Sequence, residues 1–185
     1  MKTAAVVLAA LALLDTGGRS RNLIGAKWDK FHASNIPDAW DVAIGDGITW
    51  RREAGADGGS AGVIQALRKD VNGKLLLEME VRVDAHSLGG SGWWSDTHGL
   101  TGEYPAKVEL LYLDAKEKQR VWAHGFLTAD NPQKLRNYTK VPAGEWTKVR
   151  LEIDLGGAAT LKRVRFYGEG WSFQGGVRKV RLAPK

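Results

Sequence analysis

Trp93 and Trp94 stand side by side in the stretch Gly89-Gly90-Ser91-Gly92-Trp93-Trp94-Ser95-Asp96-Thr97-His98-Gly99-Leu100-Thr101-Gly102-Glu103-Tyr104-Pro105. The stretch is rich in glycine and lies between two strand-like segments. Large apolar rings are disfavoured on a loop, because water around them is costly. A pair of indoles there either folds onto a core or waits for a ligand. The surrounding side chains suggest which ligand. Flat CH faces of a sugar stack on aromatic rings, and Asp96, His98, Glu103 and Tyr104 could hold its hydroxyls. The competing reading is that one indole lids the core and the other sits on its rim.

Other candidates are weaker. Trp171 occupies a second glycine-flanked stretch, Gly168-Glu169-Gly170-Trp171-Ser172-Phe173, and could join the Trp93 loop. Trp122 and His124 are two apart, on one face of a strand, where packing of the indole and a hydrogen bond to the imidazole is the plainer expectation. Trp28, Trp40, Trp50 and Trp146 are expected in core or sheet-end packing. His32, His86, His98 and His124 show no paired spacing for a metal. The chain contains no cysteine and no G-x-S-x-G elbow, so no nucleophile is signalled. Glu78 and Glu80 share a strand face and superficially resemble the paired acids of a glycanase. Their alternation with apolar residues reads better as a solvated sheet surface. No catalytic residue, metal ligand or cofactor is expected.

These candidates need elements to position them, and the elements are β. Lys74–Asp84, KLLLEMEVRVD, alternates apolar and charged residues with period two, as does Trp146–Asp154, WTKVRLEID. Shorter candidates are Ile48–Glu53, Ala61–Leu67, Ala106–Asp114, Gln119–Leu127, Asn137–Val141, Thr160–Tyr167 and Val177–Leu182. Asn72-Gly73, Asp57-Gly58-Gly59, Pro142-Ala143-Gly144, Gly156-Gly157 and Gly175-Gly176 read as turns between them. About nine strands and no sustained helical repeat predict an all-β protein, a two-sheet antiparallel β-sandwich. Arg163 and Arg165, alternating with Val164 and Phe166, read as part of a mixed-charge surface.

Val141-Pro142-Ala143-Gly144-Glu145-Trp146 resembles the P-x-G-x-W turn of carbohydrate-binding-module-like jelly rolls, the galactose-binding-like superfamily. There the Trp plugs one end of the sandwich. Asn22-Leu23-Ile24, Trp40-Asp41-Val42 and Gly62-Val63-Ile64-Gln65 are similar to the opening of that fold. Tyr104–Phe126 is also similar to jelly-roll domains of FecR-type bacterial envelope proteins. The resemblance spans roughly Asn22 to Leu182 and implies fold more strongly than function. It also implies a structural calcium held by an acidic residue of the last strand. Here that strand, Val177-Arg178-Lys179-Val180-Arg181-Leu182, has no carboxylate.

The remaining numbers bound the answer. A length of 185 residues suits one domain. Apolar residues are 43% and charged residues 26%, ordinary for a globular chain. The formal charge of +6 is spread along the sequence among Asp and Glu, which argues against a nucleic-acid partner. The apolar run Ala4–Leu14 follows Lys2 and is too short to span a bilayer, so residues 1–18 read as a signal peptide and 19–185 as the β-sandwich domain. Cleavage after Gly18 would leave no stable membrane span. The sequence thus predicts a secreted or periplasmic/cell-surface binding domain without catalysis. Trp93, Trp94, Asp96, His98, Tyr104 and Trp171 are its expected contacts to a carbohydrate. The alternatives are an envelope domain whose partner is a protein, and a jelly-roll glycanase.

Overall fold

A computed structural model of the chain describes residues 20–33, 40–53, 59–87, 104–128 and 137–185. The expected signal peptide at 1–18 and the Trp93/Trp94 stretch therefore lie outside the described residues. Those described form eleven strands: β1 (Asp29–Ala33), β2 (Trp40–Ile44), β3 (Ile48–Arg52), β4 (Gly59–Val71), β5 (Lys74–Ser87), β6 (Ala106–Leu113), β7 (Gln119–Leu127), β8 (Tyr138–Lys140), β9 (Thr147–Asp154), β10 (Ala159–Gly170) and β11 (Ser172–Pro184). They build two sheets. One has six strands in the order β1-β4-β10-β6-β7-β8, the other five in the order β2-β3-β11-β5-β9. All pairings are antiparallel except β7 with β8. The all-β sandwich read from the sequence is the fold observed.

The core follows from the period-two patterns. Leu75, Leu77, Met79, Val81 and Val83 of β5 face Val63, Val108, Leu110, Val164 and Phe166 of the opposite sheet, all buried. Two strands exceed the nine expected. β1, DKFHA, is a short edge strand with little alternation, and β2 entered only through the Trp40-Asp41-Val42 resemblance. Asn72-Gly73 carries the chain across from one sheet to the other. Gly73 sits at φ 92°, in the left-handed region that favours glycine.

Gly175-Gly176 is not the turn its composition suggested. Both residues lie inside β11, paired to Trp50 and Thr49 of β3. A Cβ on Gly175 would stand 2.8 Å from the Arg82 carbonyl oxygen and 3.4 Å from Trp50 Nε1. Glycine is used here for close approach, the other meaning it has within a strand. Trp146 also departs from the expectation of an end plug. It is half-buried, with the Arg178 guanidinium 4.5 Å from its ring, on the outer side of the five-stranded sheet.

The outer face of that sheet is a ladder of ion pairs. Glu80 accepts from Arg178 Nε at 2.6 Å and Lys179 Nζ at 2.9 Å, and Glu78 from Arg181 at 3.1 Å. A register shift between Arg178 and Arg181, with Lys179 at φ 52°, lets two successive cations reach one carboxylate. Lys179 and then Arg178 hold the Glu80 carboxyl below its usual range. A glycosidase acid needs the opposite shift. Glu78 and Glu80 are both ion-paired, and Glu80, buried at 5% exposure beneath its two cations, departs from the solvated surface that their alternation suggested.

Candidate functional site

One end of the sandwich gathers several independent ties. Trp50, on β3, sends its indole across the core to donate from Nε1 to the Pro105 carbonyl at 2.8 Å, binding the five-stranded sheet to the start of β6. Arg52 is buried and donates from Nη1 to the carbonyls of Gly170 (2.7 Å) and Trp171 (2.9 Å). Charge-assisted bonds of this kind hold a backbone turn more firmly than neutral ones. Trp171 is the single residue between β10 and β11, and its side chain is 43% exposed. An exposed indole on a turn clamped from beneath is a preorganised surface for a flat apolar partner.

The ends of the Trp93/Trp94 stretch are fixed at the same place. Ser87, the last residue of β5, pairs with Ser172. Tyr104 accepts the Glu169 amide at its carbonyl at 2.8 Å. Ser87 and Tyr104, the described residues on either side of 88–103, thus both lie beside the β10–β11 junction. Trp93, Trp94, Asp96 and His98 themselves lie outside the described residues. Tyr104 is described, and at 1% exposure its ring is not offered to solvent. It lies flat on β7 over Gly125, where a Cβ would come within 1.9 Å of the ring.

From Tyr104 a band of aromatic and charged side chains crosses the outer face of the six-stranded sheet. The register places Phe31, Gly62, Tyr167, Lys107, Gly125 and Tyr138 in one row, and Asp29, Ile64, Arg165, Glu109 and Ala123 in the next. Tyr104, Leu127 and Tyr138 form a small apolar cluster of their own at the β7–β8 side. Phe31 packs edge-on to Tyr167 at 5.7 Å. Lys107 lies 5.4 Å from the Tyr167 ring centre and 5.7 Å from that of Tyr104, and Arg165 lies 4.8 Å from Tyr167. Cations over aromatic faces at such distances are attracted by the ring quadrupole.

The charges within the band are paired. Arg165 grips Glu109 with two bonds, Nε to Oε1 at 3.0 Å and Nη2 to Oε2 at 2.6 Å. The Tyr167 hydroxyl donates to Glu109 Oε2 at 3.2 Å, and Arg163 approaches Oε1 at 3.5 Å. Lys107 pairs with Glu169 at 3.0 Å. Burial works to raise the Glu109 carboxyl, but the Arg165 bonds and the nearby cations outweigh it and hold it low. Burial, followed by the Glu169 and Glu109 charges, pushes the Tyr167 phenol well above its usual range, so it remains a donor. Sequence reading took these residues for a mixed-charge surface. The alternation Lys107-x-Glu109 against Arg163-x-Arg165 was the visible signal. The pairing across 56 residues that makes it a network was not visible.

Trp122 and His124 face inward. Trp122 packs against the core, while His124 Nε2 meets Thr139 Oγ1 at 2.9 Å between Trp122 and Phe126. Burial lowers the His124 pKa to about 4. The calcium position implied by the jelly-roll resemblance does not fit this chain. Arg178, Lys179 and Arg181 occupy the last strand, and the Glu80 and Glu78 opposite are committed to them. No group of three His, Asp or Glu among the described residues is placed to hold a metal ion.

No family model matches the chain, and no curated protein does. Solved structures do match, and most of those found are β-sandwich carbohydrate-binding modules. The enzymatically active domain of tailspike protein 4 of bacteriophage CBA120 is 9% identical with a TM-score of 0.52, over 88% of this chain and 21% of that one. TmCBM61, in complex with β-1,4-galactotriose, is 11% identical with a TM-score of 0.43, over 90% of this chain and 100% of that one. The CBM22-1–GH10 modules of Clostridium thermocellum xylanase 10B, complexed with xylohexaose, are 13% identical with a TM-score of 0.46, over 88% and 27%. The chain thus spans far less than two thirds of both the tailspike and the xylanase. The likeness to the tailspike domain, at 9% identity, bears on the fold alone. Among the described residues no helix is long and apolar enough to cross a membrane.

Proposed function

We propose that this domain binds carbohydrate without acting on it, at the end of the sandwich where Trp171 is exposed. The observation that carries the reading is the clamped, solvent-facing indole at the junction of β10 and β11, flanked by both anchors of the segment that contains Trp93 and Trp94. In this reading Trp171, Trp93 and Trp94 stack on pyranose faces, and Asp96 and His98 bond hydroxyls. Tyr104 frames the site from below. Its ring supports Lys107, which pairs with Glu169, and does not itself stack on sugar. Modules solved with galactotriose and xylohexaose are among the proteins this chain is similar to, and those two sugars are the first ligands to try. The absence of catalysis is part of the proposal and rests on the pairing of Glu80 with Arg178 and Lys179 and of Glu78 with Arg181.

Affinity electrophoresis and titration calorimetry against soluble galactan and xylan test the reading. Loss of a central tryptophan at a binding site costs about 2 kcal/mol, roughly 30-fold in affinity. Trp171→Ala should weaken binding by that factor with an unchanged unfolding midpoint, and Trp93→Ala or Trp94→Ala should do the same. Binding that survives all three substitutions refutes the site. A folded domain that ignores a broad glycan array and retains a protein partner refutes the sugar.

A further inference from the structure

Many cations among the described residues meet a carboxylate, and four that do not line one cleft. On the five-stranded sheet Arg82, Arg178, Lys179, Arg181 and Lys185 each meet a carboxylate, and on the six-stranded sheet Lys107, Arg120, Arg163 and Arg165 do. Arg21, Lys27, Arg68 and Lys69 have no ion pair among the described residues, and all four are exposed. All four line one cleft of about 590 Å³ between the segment 21–29 and β4. Asp29 is the one carboxylate on its wall.

The cleft has a fixed floor. Gln65 is buried, accepts from the Gly25 amide at 2.9 Å, and donates to the carbonyls of Gly25 (3.2 Å) and Lys27 (2.5 Å). The Asn22 side chain accepts the Leu182 amide at 3.0 Å, and the Leu23 amide donates to the Leu182 carbonyl at 2.7 Å. The backbone that carries Arg21 and Lys27 is therefore tied down along its length, opposite Arg68 and Lys69 on a long paired strand. The cleft is also continuous with the aromatic band. Asp29 belongs to both, and Ala66 on the cleft wall pairs with Arg163, whose guanidinium reaches Glu109.

We infer that this cleft binds the acidic groups, carboxylate or sulfate, of a charged polysaccharide. Four exposed cationic heads around a trough with a fixed floor, facing a single carboxylate, attract a repeating anion. A nucleic acid is disfavoured, because the cleft walls carry no aromatic ring to take a base. The inference rests on the sugar-binding reading for the polymer's identity but not for the anion site, and the two can fail separately.

The test compares the intact chain, Arg68→Gln/Lys69→Gln and Trp171→Ala against four polymers: neutral galactan, polygalacturonate, a sulfated galactan and double-stranded DNA. Both substituted positions are exposed, and the unfolding midpoint should stay unchanged. The intact chain should bind an acidic polymer at least tenfold tighter than galactan at 50 mM salt and lose most of that advantage by 500 mM. The double variant should lose about tenfold on the acidic polymer at low salt and nothing on galactan. Whichever of polygalacturonate and sulfated galactan binds more tightly identifies the acidic group. Equal affinity of the variant and the intact chain for both acidic polymers overturns the inference, as does tighter binding to DNA than to either. Failure of Trp171→Ala to affect galactan, with the acidic binding intact, overturns the sugar site at Trp171 and leaves the anion cleft standing.

Discussion

Replacing Glu109 with Gln probes the buried network directly. The carboxylate keeps only 5% of its side-chain exposure and holds Arg165 by two bonds, with Tyr167 and Arg163 on the same oxygens. Gln preserves the volume and removes the charge, leaving Arg165 and Arg163 without their carboxylate, with Glu169 on Lys107 the nearest remaining negative charge. Breaking a fully buried pair by removing one partner costs about 3–5 kcal/mol. Arg165 retains 23% exposure and can recover part of its hydration, which reduces the expected loss to about 2–4 kcal/mol. The sign of the pH dependence follows from the lowered Glu109 pKa. Its contribution is complete above the unfolded carboxyl value of 4.5 and is lost as pH falls from there through the folded value. Urea unfolding of the two proteins should therefore show a constant gap from pH 8 to pH 5 that narrows below pH 4.5. Glu109→Leu with Arg165→Met, which removes both charges, should recover most of the loss. A gap under 1 kcal/mol at pH 7, or one that does not change on acidification, refutes the argument that Glu109 neutralises this face.

Three further outcomes are expected. Gly125→Ala places a methyl 1.9 Å from the Tyr104 ring and should cost about 1–3 kcal/mol, read as a fall in the thermal midpoint of roughly 2–10 °C. His124 is neutral in the fold, with its pKa lowered to about 4 by burial against 6.5 when free, so the unfolded chain alone takes up a proton between those values. Stability should fall by up to about 1.4 kcal/mol per pH unit from 6.5 towards 4, and His124→Phe should flatten that slope in urea titrations at pH 7 and 5. Arg52→Met removes the donors to Gly170 and Trp171, and hydrogen exchange at the β10–β11 junction should quicken in the variant while the amides of β5 remain protected.

The extent to which the fold was legible depended on how local its signals were. β5 and β9 declare themselves, because one face is buried and the other carries charge, and period two survives any register. β1 does not, since an edge strand of five residues buries little and DKFHA shows no clean alternation. Gly175-Gly176 misled for a different reason. A glycine pair signals either a turn or a close approach, and only groups far off in sequence, the Arg82 and Pro105 carbonyls and the Trp50 indole, decide between them. The candidate site divides in the same way. Trp171 was visible as a ring between glycines. That Arg52 would brace it from the other sheet was not: the alternation Ile48-x-Trp50-x-Arg52 puts Arg52 on the buried face, but its partners, the carbonyls of Gly170 and Trp171, lie more than a hundred residues away. Unpaired cations were equally hidden. Arg68 and Lys69 look like any charged dipeptide until the fold sets them on one cleft with Arg21 and Lys27.

Trp171 alone separates β10 from β11, and each of those strands lies in the interior of its own sheet. A polymer gripping that ring under flow or traction would pull along the length of both strands at once. The load would be shared as shear across ladders of parallel-acting hydrogen bonds on either side, in place of unzipping a margin one bond at a time. A domain so connected resists detachment by a stretched ligand better than its equilibrium stability alone would suggest.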